Sequence, residues 1–156
     1  MLKHTKGDLI TLAEEGNFDA IVQGCNCFCT MGSGIARTIR ERYPLAYQID
    51  SLTVTGDIMK LGCWTEYDTS KFIIFNAYTQ YGFNKPGETN DVFEYTSFEL
   101  ILQKLATLHG TKNFGFPMIG MGLAGGDKRR IFGQLEWFEE LVSTQGGSVT
   151  VVEFSG

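Results

Sequence analysis

Apolar residues in this chain fall into short continuous runs separated by longer stretches in which they recur every three or four positions. The runs Ala20 to Gln23, Phe72 to Phe75, Phe114 to Met118 and Val149 to Phe154 read as strands buried on both faces. Weaker strand signals occur at Lys3 to Lys6, Met59 to Gly62 and Trp64 to Tyr67. Helical spacing comes next. Ile35, Ala36, Ile39 and Tyr43 share one face, opposite Arg37, Arg40 and Glu41, and Pro44 marks the break. Phe98, Ile101, Leu102 and Leu105 define a second helix, with Thr96-x-x-Glu99 or Asp91-x-x-Glu94 as capping pairs. A third runs from Asp127 through Ile131, Phe132, Leu135, Phe138 and Val142 to Gly146-Gly147. Strands alternating with helices of this length predict an α/β layer fold around a largely buried sheet.

At 156 residues, 43% of them hydrophobic, the chain suits one domain spanning 1–156 with one core. Neither a linker nor an internal repeat divides it. Thirteen Lys and Arg against eighteen Asp and Glu give a formal charge of -5. That balance argues against sequence-specific nucleic-acid binding but leaves small anions open, because backbone N–H groups at a helix start hold anions without a basic surface. The N-terminus lacks an apolar leader core and no window approaches a membrane span, so the expectation is a cytoplasmic protein with no membrane partner. Cys25, Cys27 and Cys29 alternate and Cys63 stands alone, which is not a disulfide framework, and they read as reduced thiols. Nor is C-x-C-x-C the spacing of a structural zinc site, and His4 and His109 complete no motif. No metal or other cofactor is called for.

Ligands of such sheets bind beyond the carboxyl ends of the strands, so the strand-to-helix junctions carry the functional signal. Two stand out. After Val22-Gln-Gly-Cys-Asn26 comes Cys27-Phe-Cys-Thr-Met-Gly-Ser-Gly-Ile35, where Gly32 and Gly34 permit close backbone approach and Ser33 suits a helix cap. Phe116-Pro-Met-Ile-Gly-Met-Gly-Leu-Ala-Gly-Gly-Asp127 supplies four glycines and then a helix-starting Asp. Either loop alone is equally well ordinary turn chemistry. Together they make two rows of N–H donors, as a pyrophosphate requires. Gly120-x-Gly-x-x-Gly125 also matches the dinucleotide fingerprint, with Glu153 as a ribose acid, but the roughly thirty residues that follow are too few for the rest of a dinucleotide fold.

These motifs resemble the macrodomain family over nearly the whole chain and in the family's order. The resemblance implies a three-layer α/β/α fold with a mixed, mainly parallel central sheet, and ADP-ribose or a derivative as ligand. Gly7-Asp8-Leu9-Ile10 is similar to the family's early Gly-Asp-Ile element, so Asp8, with Leu9 beside it, inherits a hydrogen bond from the adenine amino group. Val22-Gln-Gly-Cys-Asn26 is similar to the Val-Asn-Ala-Ala-Asn strand end, which gives Asn26 the distal ribose; Gln23 replaces the usual first Asn. Met31, Gly32, Ser33, Gly34 and Ile35 match the first phosphate and ribose loop, and Ile119, Gly120, Met121, Gly122, Leu123 and Ala124 the second. Gln80, beyond the central strand, joins the candidate ligand-binding residues.

The glycine pattern looks closer to the branch containing ADP-ribose 1″-phosphate phosphatases and terminal ADP-ribose glutamate hydrolases than to the branch with Gly-Gly-Val-Asp, whose Asp falls on Ser33 here. The glutamate hydrolases also use a Lys after the central strand; Phe75 to Tyr81 contains none, and only Lys85 in the following loop could reach in its place. The resemblance therefore implies a metal-independent hydrolase with Asp127 and Asn26 as catalytic candidates. Phosphate release from ADP-ribose 1″-phosphate is the first reading; removal of ADP-ribose from ADP-ribosylated protein or nucleic acid, and non-catalytic ADP-ribose reading, stand beside it. Each candidate also has a structural reading: Asp127 as a helix cap, Asp8 as a turn residue, Asn26 as a partner of its own backbone.

Overall fold

In the computed structural model, residues 1–155 are described, and Gly156 lies outside them. The chain order is β1 (Lys3–Gly7), α1 (Leu9–Glu14), β2 (Ala20–Cys25), α2 (Gly34–Arg42), α3 (Pro44–Ser51), a 3-10 turn (Ile58–Lys60), β3 (Trp64–Asp68), β4 (Ile73–Tyr78), α4 (Tyr95–His109), β5 (Asn113–Phe116), α5 (Lys128–Ser143) and β6 (Ser148–Phe154). The strands form one sheet in the order β1-β6-β5-β2-β4-β3, parallel except for the antiparallel β3–β4 pair.

Because strand side chains alternate between faces, each buried strand feeds two cores. Ala20, Val22, Phe75, Ala77, Phe114, Phe116, Val149 and Val151 meet α4 and α5 through Phe98, Ile101, Leu105, Ile131, Leu135 and Phe138. On the other face Ile21, Ile74 and Val152 meet Leu9, Ile10 and Ala13 of α1, Ile39 of α2 and Ala46 of α3. Helices thus cover both faces. This is the mixed, mainly parallel α/β/α arrangement expected.

Several local expectations need correction. Met59 to Gly62 is no strand: Ile58–Lys60 is a 3-10 turn capped by Asp57, whose carboxylate accepts from Met59 N at 2.9 Å. Pro44 does not merely end a helix. It opens α3 at a position where its missing N–H costs no bond. Six-residue α1 is too short to show periodicity and goes unseen in the sequence. Neither capping pair forms at α4: Glu94 holds the N-cap position without a side-chain bond, while the Asp91 carboxylate accepts from Phe93 N and Tyr95 Oη. Ser33 sits at the N-cap of α2, yet its hydroxyl makes no capping bond.

The topology fixes where a ligand fits. From β2 the chain passes through α2 and α3 toward β4 and β3; from the adjacent β5 it passes through α5, on the opposite face, toward β6. Two neighbouring parallel strands whose connections leave in opposite directions open a crevice at their carboxyl ends. Both glycine-rich loops begin there.

Candidate functional site

The first loop, between β2 and α2, is held by its own polar side chains. Asn26 Oδ1 accepts from Phe28 N at 2.8 Å and its Nδ2 donates to Thr30 Oγ1 at 2.7 Å. Arg40, stacked 4.0 Å from the Tyr47 ring centroid, donates to the Thr30 carbonyl at 3.1 Å. Met31 turns its side chain inward, where Gln23 Nε2 lies 3.8 Å from its sulfur. Its buried partners are Cys25 and Tyr78. Gly32, Ser33 and Gly34 remain exposed, and the N–H groups from Met31 to Ala36 find no acceptor among the described residues. Three of them form the open first turn of α2.

Beneath this loop lies a polar cluster that the sequence did not reveal. Lys60, nearly buried, donates to Thr53 Oγ1 at 2.7 Å and lies 3.6 Å from Cys29 Sγ. Tyr78 Oη donates to the buried Asp50 carboxylate at 2.6 Å. Burial raises the pKa of Asp50 above the usual carboxylate value, against the Tyr78 bond and the Lys60 charge, which lower it. Burial likewise pushes the Tyr78 and Cys25 groups up. Gln23, where the family pattern has Asn, bonds to Asn76 Oδ1 at 2.8 Å and ties the strand end to β4. These groups support the loop from below.

The second loop, between β5 and α5, folds on itself. Gly126 N donates to the Gly120 carbonyl at 2.7 Å and Gly125 N to the Gly122 carbonyl at 3.0 Å. Asn84 Nδ2 reaches the Leu123 carbonyl at 2.7 Å, and Val92 N the Ala124 carbonyl at 2.9 Å, so the β4–α4 connection pins the loop from outside. Gly120 is left-handed, with φ of 73°, and a Cβ there would stand 2.4 Å from the Phe93 ring. Gly122 is the opposite case: nothing lies within 4 Å of where its Cβ would be. The N–H groups of Gly120, Gly122, Leu123 and Ala124 have no acceptor among the described residues.

Asp127 is the N-cap of α5, its Oδ1 accepting from Arg130 N at 3.1 Å. The backbone N–H of Asp127 donates to Tyr95 Oη at 2.7 Å, a long-range anchor no local pattern announces. Asp8 caps α1 by accepting from Thr11 N at 2.9 Å. Gln80 Nε2 donates to the Gly82 carbonyl at 2.8 Å. The candidate side chains therefore divide. Leu9, Met31, Ile119 and Ala124 are buried, so they can offer a ligand backbone only. Asp8, Asn26, Ser33 and Asp127 keep polar atoms at or near the surface.

All four of α1, α2, α4 and α5 begin at this edge of the sheet, each following a parallel strand. Their positive dipole ends favour an anion despite the acidic chain. Surface cavities elsewhere include one of about 360 Å³ between α4 and α5 and one of about 220 Å³ between α5 and the β1–β6 strands. Neither is lined by residues of both glycine loops.

No family model matches the chain. The uncharacterised 17.5 kDa protein of the tk–vs intergenic region of Enterobacteria phage T4 is 35% identical over 147 residues, covering 88% of this chain and 90% of that protein. A stretch of 71 residues, 46% of this chain and 27% of the other, is 35% identical to an ADP-ribose 1″-phosphate phosphatase of Ajellomyces capsulatus. Among solved structures, the macrodomain of Mycobacterium tuberculosis DarG superposes with a TM-score of 0.71 at 20% identity, covering 100% of this chain and 99% of that one. A Trypanosoma brucei macrodomain in complex with ADP-ribose gives 0.63 at 16% identity, covering 98% of this chain and 63% of that one. At these identities the structural likeness is one of fold.

Proposed function

The chain is a macrodomain in fold and belongs to one family with the phage T4 17.5 kDa protein, and from that premise we propose that it binds ADP-ribose across the two glycine loops and hydrolyses an ADP-ribose derivative. The observation carrying this reading is the pair of loops with unpartnered N–H groups at one switch point of the parallel sheet. The N–H groups of Met31 to Ala36 and of Gly122 to Ala124 hold the diphosphate, Asp8 receives the adenine amino group, and Asn26 faces the distal ribose.

The first substrate is ADP-ribose 1″-phosphate, supported by the partial match to a protein of that activity. Asp127 uses one carboxylate oxygen as a cap, leaving the other free to orient and deprotonate a water. That water attacks phosphorus, the bond between phosphorus and the 1″-oxygen breaks, and the proton passes to the departing sugar oxygen. Loop N–H groups stabilise the charge that develops. Attack at the anomeric carbon instead would release ADP-ribose from a protein or nucleic acid.

A second reading, binding without turnover, draws on one observation: Asn26 and Asp127 both already satisfy hydrogen bonds of their own loops. Product analysis separates the readings. Phosphate release from ADP-ribose 1″-phosphate, abolished in Asp127→Ala with ADP-ribose affinity retained, is the expected result; unchanged turnover in that variant removes Asp127 from the mechanism. Tight ADP-ribose binding with no product from either substrate class identifies a reader.

A further inference from the structure

Away from the glycine loops, the groove of about 360 Å³ between α4 and α5 has features that packing does not explain. Gly133, which lines it, lies in the interior of α5, where glycine is destabilising relative to alanine. Nothing lies within 4 Å of where a Cβ would stand, so the missing side chain serves no close packing and leaves the groove open. One turn to either side, Arg130 and Trp137 line the same groove. The Arg130 guanidinium lies 3.6 Å from the Tyr95 ring centroid and has no carboxylate partner among the described residues. Lys128, Arg129 and Arg130 all occupy the first turn of α5, where the helix dipole disfavours cations. Glu99 and Thr96 of α4 form the opposite wall, and Gln134 the floor, its amide donating to the Tyr95 carbonyl at 2.7 Å.

An aromatic and guanidinium wall takes a planar ring, a carboxylate opposite accepts two neighbouring N–H groups, and an unpaired arginine at one end takes a phosphate. We propose that this groove is a second binding site, for a guanine nucleotide, with the base beside Trp137 and the Arg130–Tyr95 stack, its Watson–Crick edge on Glu99 and its phosphate toward Arg130. The volume lies within the range of small-ligand sites. The site goes beyond the ADP-ribose reading and does not depend on it. It does adjoin it: the Tyr95 hydroxyl under Arg130 is the group that receives Asp127 N.

Trp137 reports on the groove directly, because the chain has only one other tryptophan, Trp64, which Trp64→Phe removes. In that background, GMP quenches the remaining fluorescence saturably with a midpoint near or below about 1 mM, and inorganic phosphate does not. Gly133→Leu fills the groove while favouring the helix, and with Arg130→Ala and Glu99→Gln it weakens the GMP response at least tenfold. ADP-ribose affinity by calorimetry stays within twofold of the parent in all three. A single-stranded decamer with one central guanine separates the two sources of such a base. Binding at least tenfold tighter than GMP, and tighter than the all-thymine decamer, assigns the site to a strand; binding no tighter than GMP assigns it to free nucleotide. Absence of any GMP or decamer response, or a response that survives Gly133→Leu and Arg130→Ala, overturns the proposal.

Discussion

Gly120 and Gly122 lie two residues apart in one loop, and alanine at each should have opposite consequences. At Gly120 the backbone is left-handed, which costs an ordinary residue about 1–2 kcal/mol. The new methyl would also stand 2.4 and 2.5 Å from two atoms of Phe93, a buried ring packed edge-on against Tyr95 and Phe98. Such overpacking costs about 1–3 kcal/mol. The smaller conformational entropy of the unfolded variant returns about 0.4–1 kcal/mol. A net loss of about 2–4 kcal/mol follows, or a Tm drop of roughly 5–15 °C for a domain of this size. At Gly122 neither cost applies, because the methyl enters open space and the backbone is not left-handed, and only the unfolded-chain term remains. Stability should change by no more than about 0.5–1 kcal/mol. The methyl does project from the row of free N–H groups, so ADP-ribose affinity should fall tenfold or more, about 1.4 kcal/mol. Thermal melts and calorimetric titration of the two variants give both quantities. Parent-like affinity in a Gly122→Ala protein of parent-like Tm would refute the claim that this loop cradles the ligand.

Two further outcomes test separate parts of the structure. Asp8→Asn retains an oxygen to cap Thr11 N but replaces an acceptor with a donor, so Tm should hold within a few degrees while ADP-ribose affinity falls at least tenfold; equal affinity by calorimetry removes Asp8 from adenine recognition. His109, half-buried against the Phe75 ring, has its pKa lowered from 6.5, chiefly by burial and against the charge of Glu66. The unfolded chain therefore binds more protons between the folded value and 6.5, so stability gained as pH rises through that window is lost on acidification below it. The His109 ring proton should titrate below 6.5 by NMR and His109→Gln should lose less stability between neutral and acid pH; a midpoint at or above 6.5 contradicts the burial argument.

The sequence was most legible where periodicity is long or apolar runs are continuous. β2, β4, β5 and β6 lie fully or mostly inside the sheet, so their runs announce them, and α4 and α5 are long enough to repeat their apolar stripe several times. α1 has fewer than two turns, and Pro44 carries the same letter whether it stops one helix or starts the next. Met59 is an exposed apolar residue on a 3-10 turn, which a short window cannot tell from a strand.

At the site, glycine spacing marked both loops, but the groups that hold them were hidden. Tyr95 meets Asp127 across 32 positions, Asn84 meets Leu123 across 39, and Lys60 meets Cys29 across 31. Such pairings depend on how the layers stack, which no local pattern encodes. Arg40 read as one more charge on the polar face of α2, whereas the fold turns it back onto the Thr30 carbonyl.

In the function proposed above, the unpartnered N–H groups of two loops at one switch point bind the diphosphate of ADP-ribose. Titration of the ¹⁵N-labelled chain with ADP-ribose observes those groups individually. Saturable shifts are expected, largest at Gly32, Ser33, Gly34, Gly122, Leu123 and Ala124, with smaller ones at Asp8 and Leu9. Shifts confined to the α4–α5 groove, or none at millimolar ADP-ribose, would rule out diphosphate binding by the two loops.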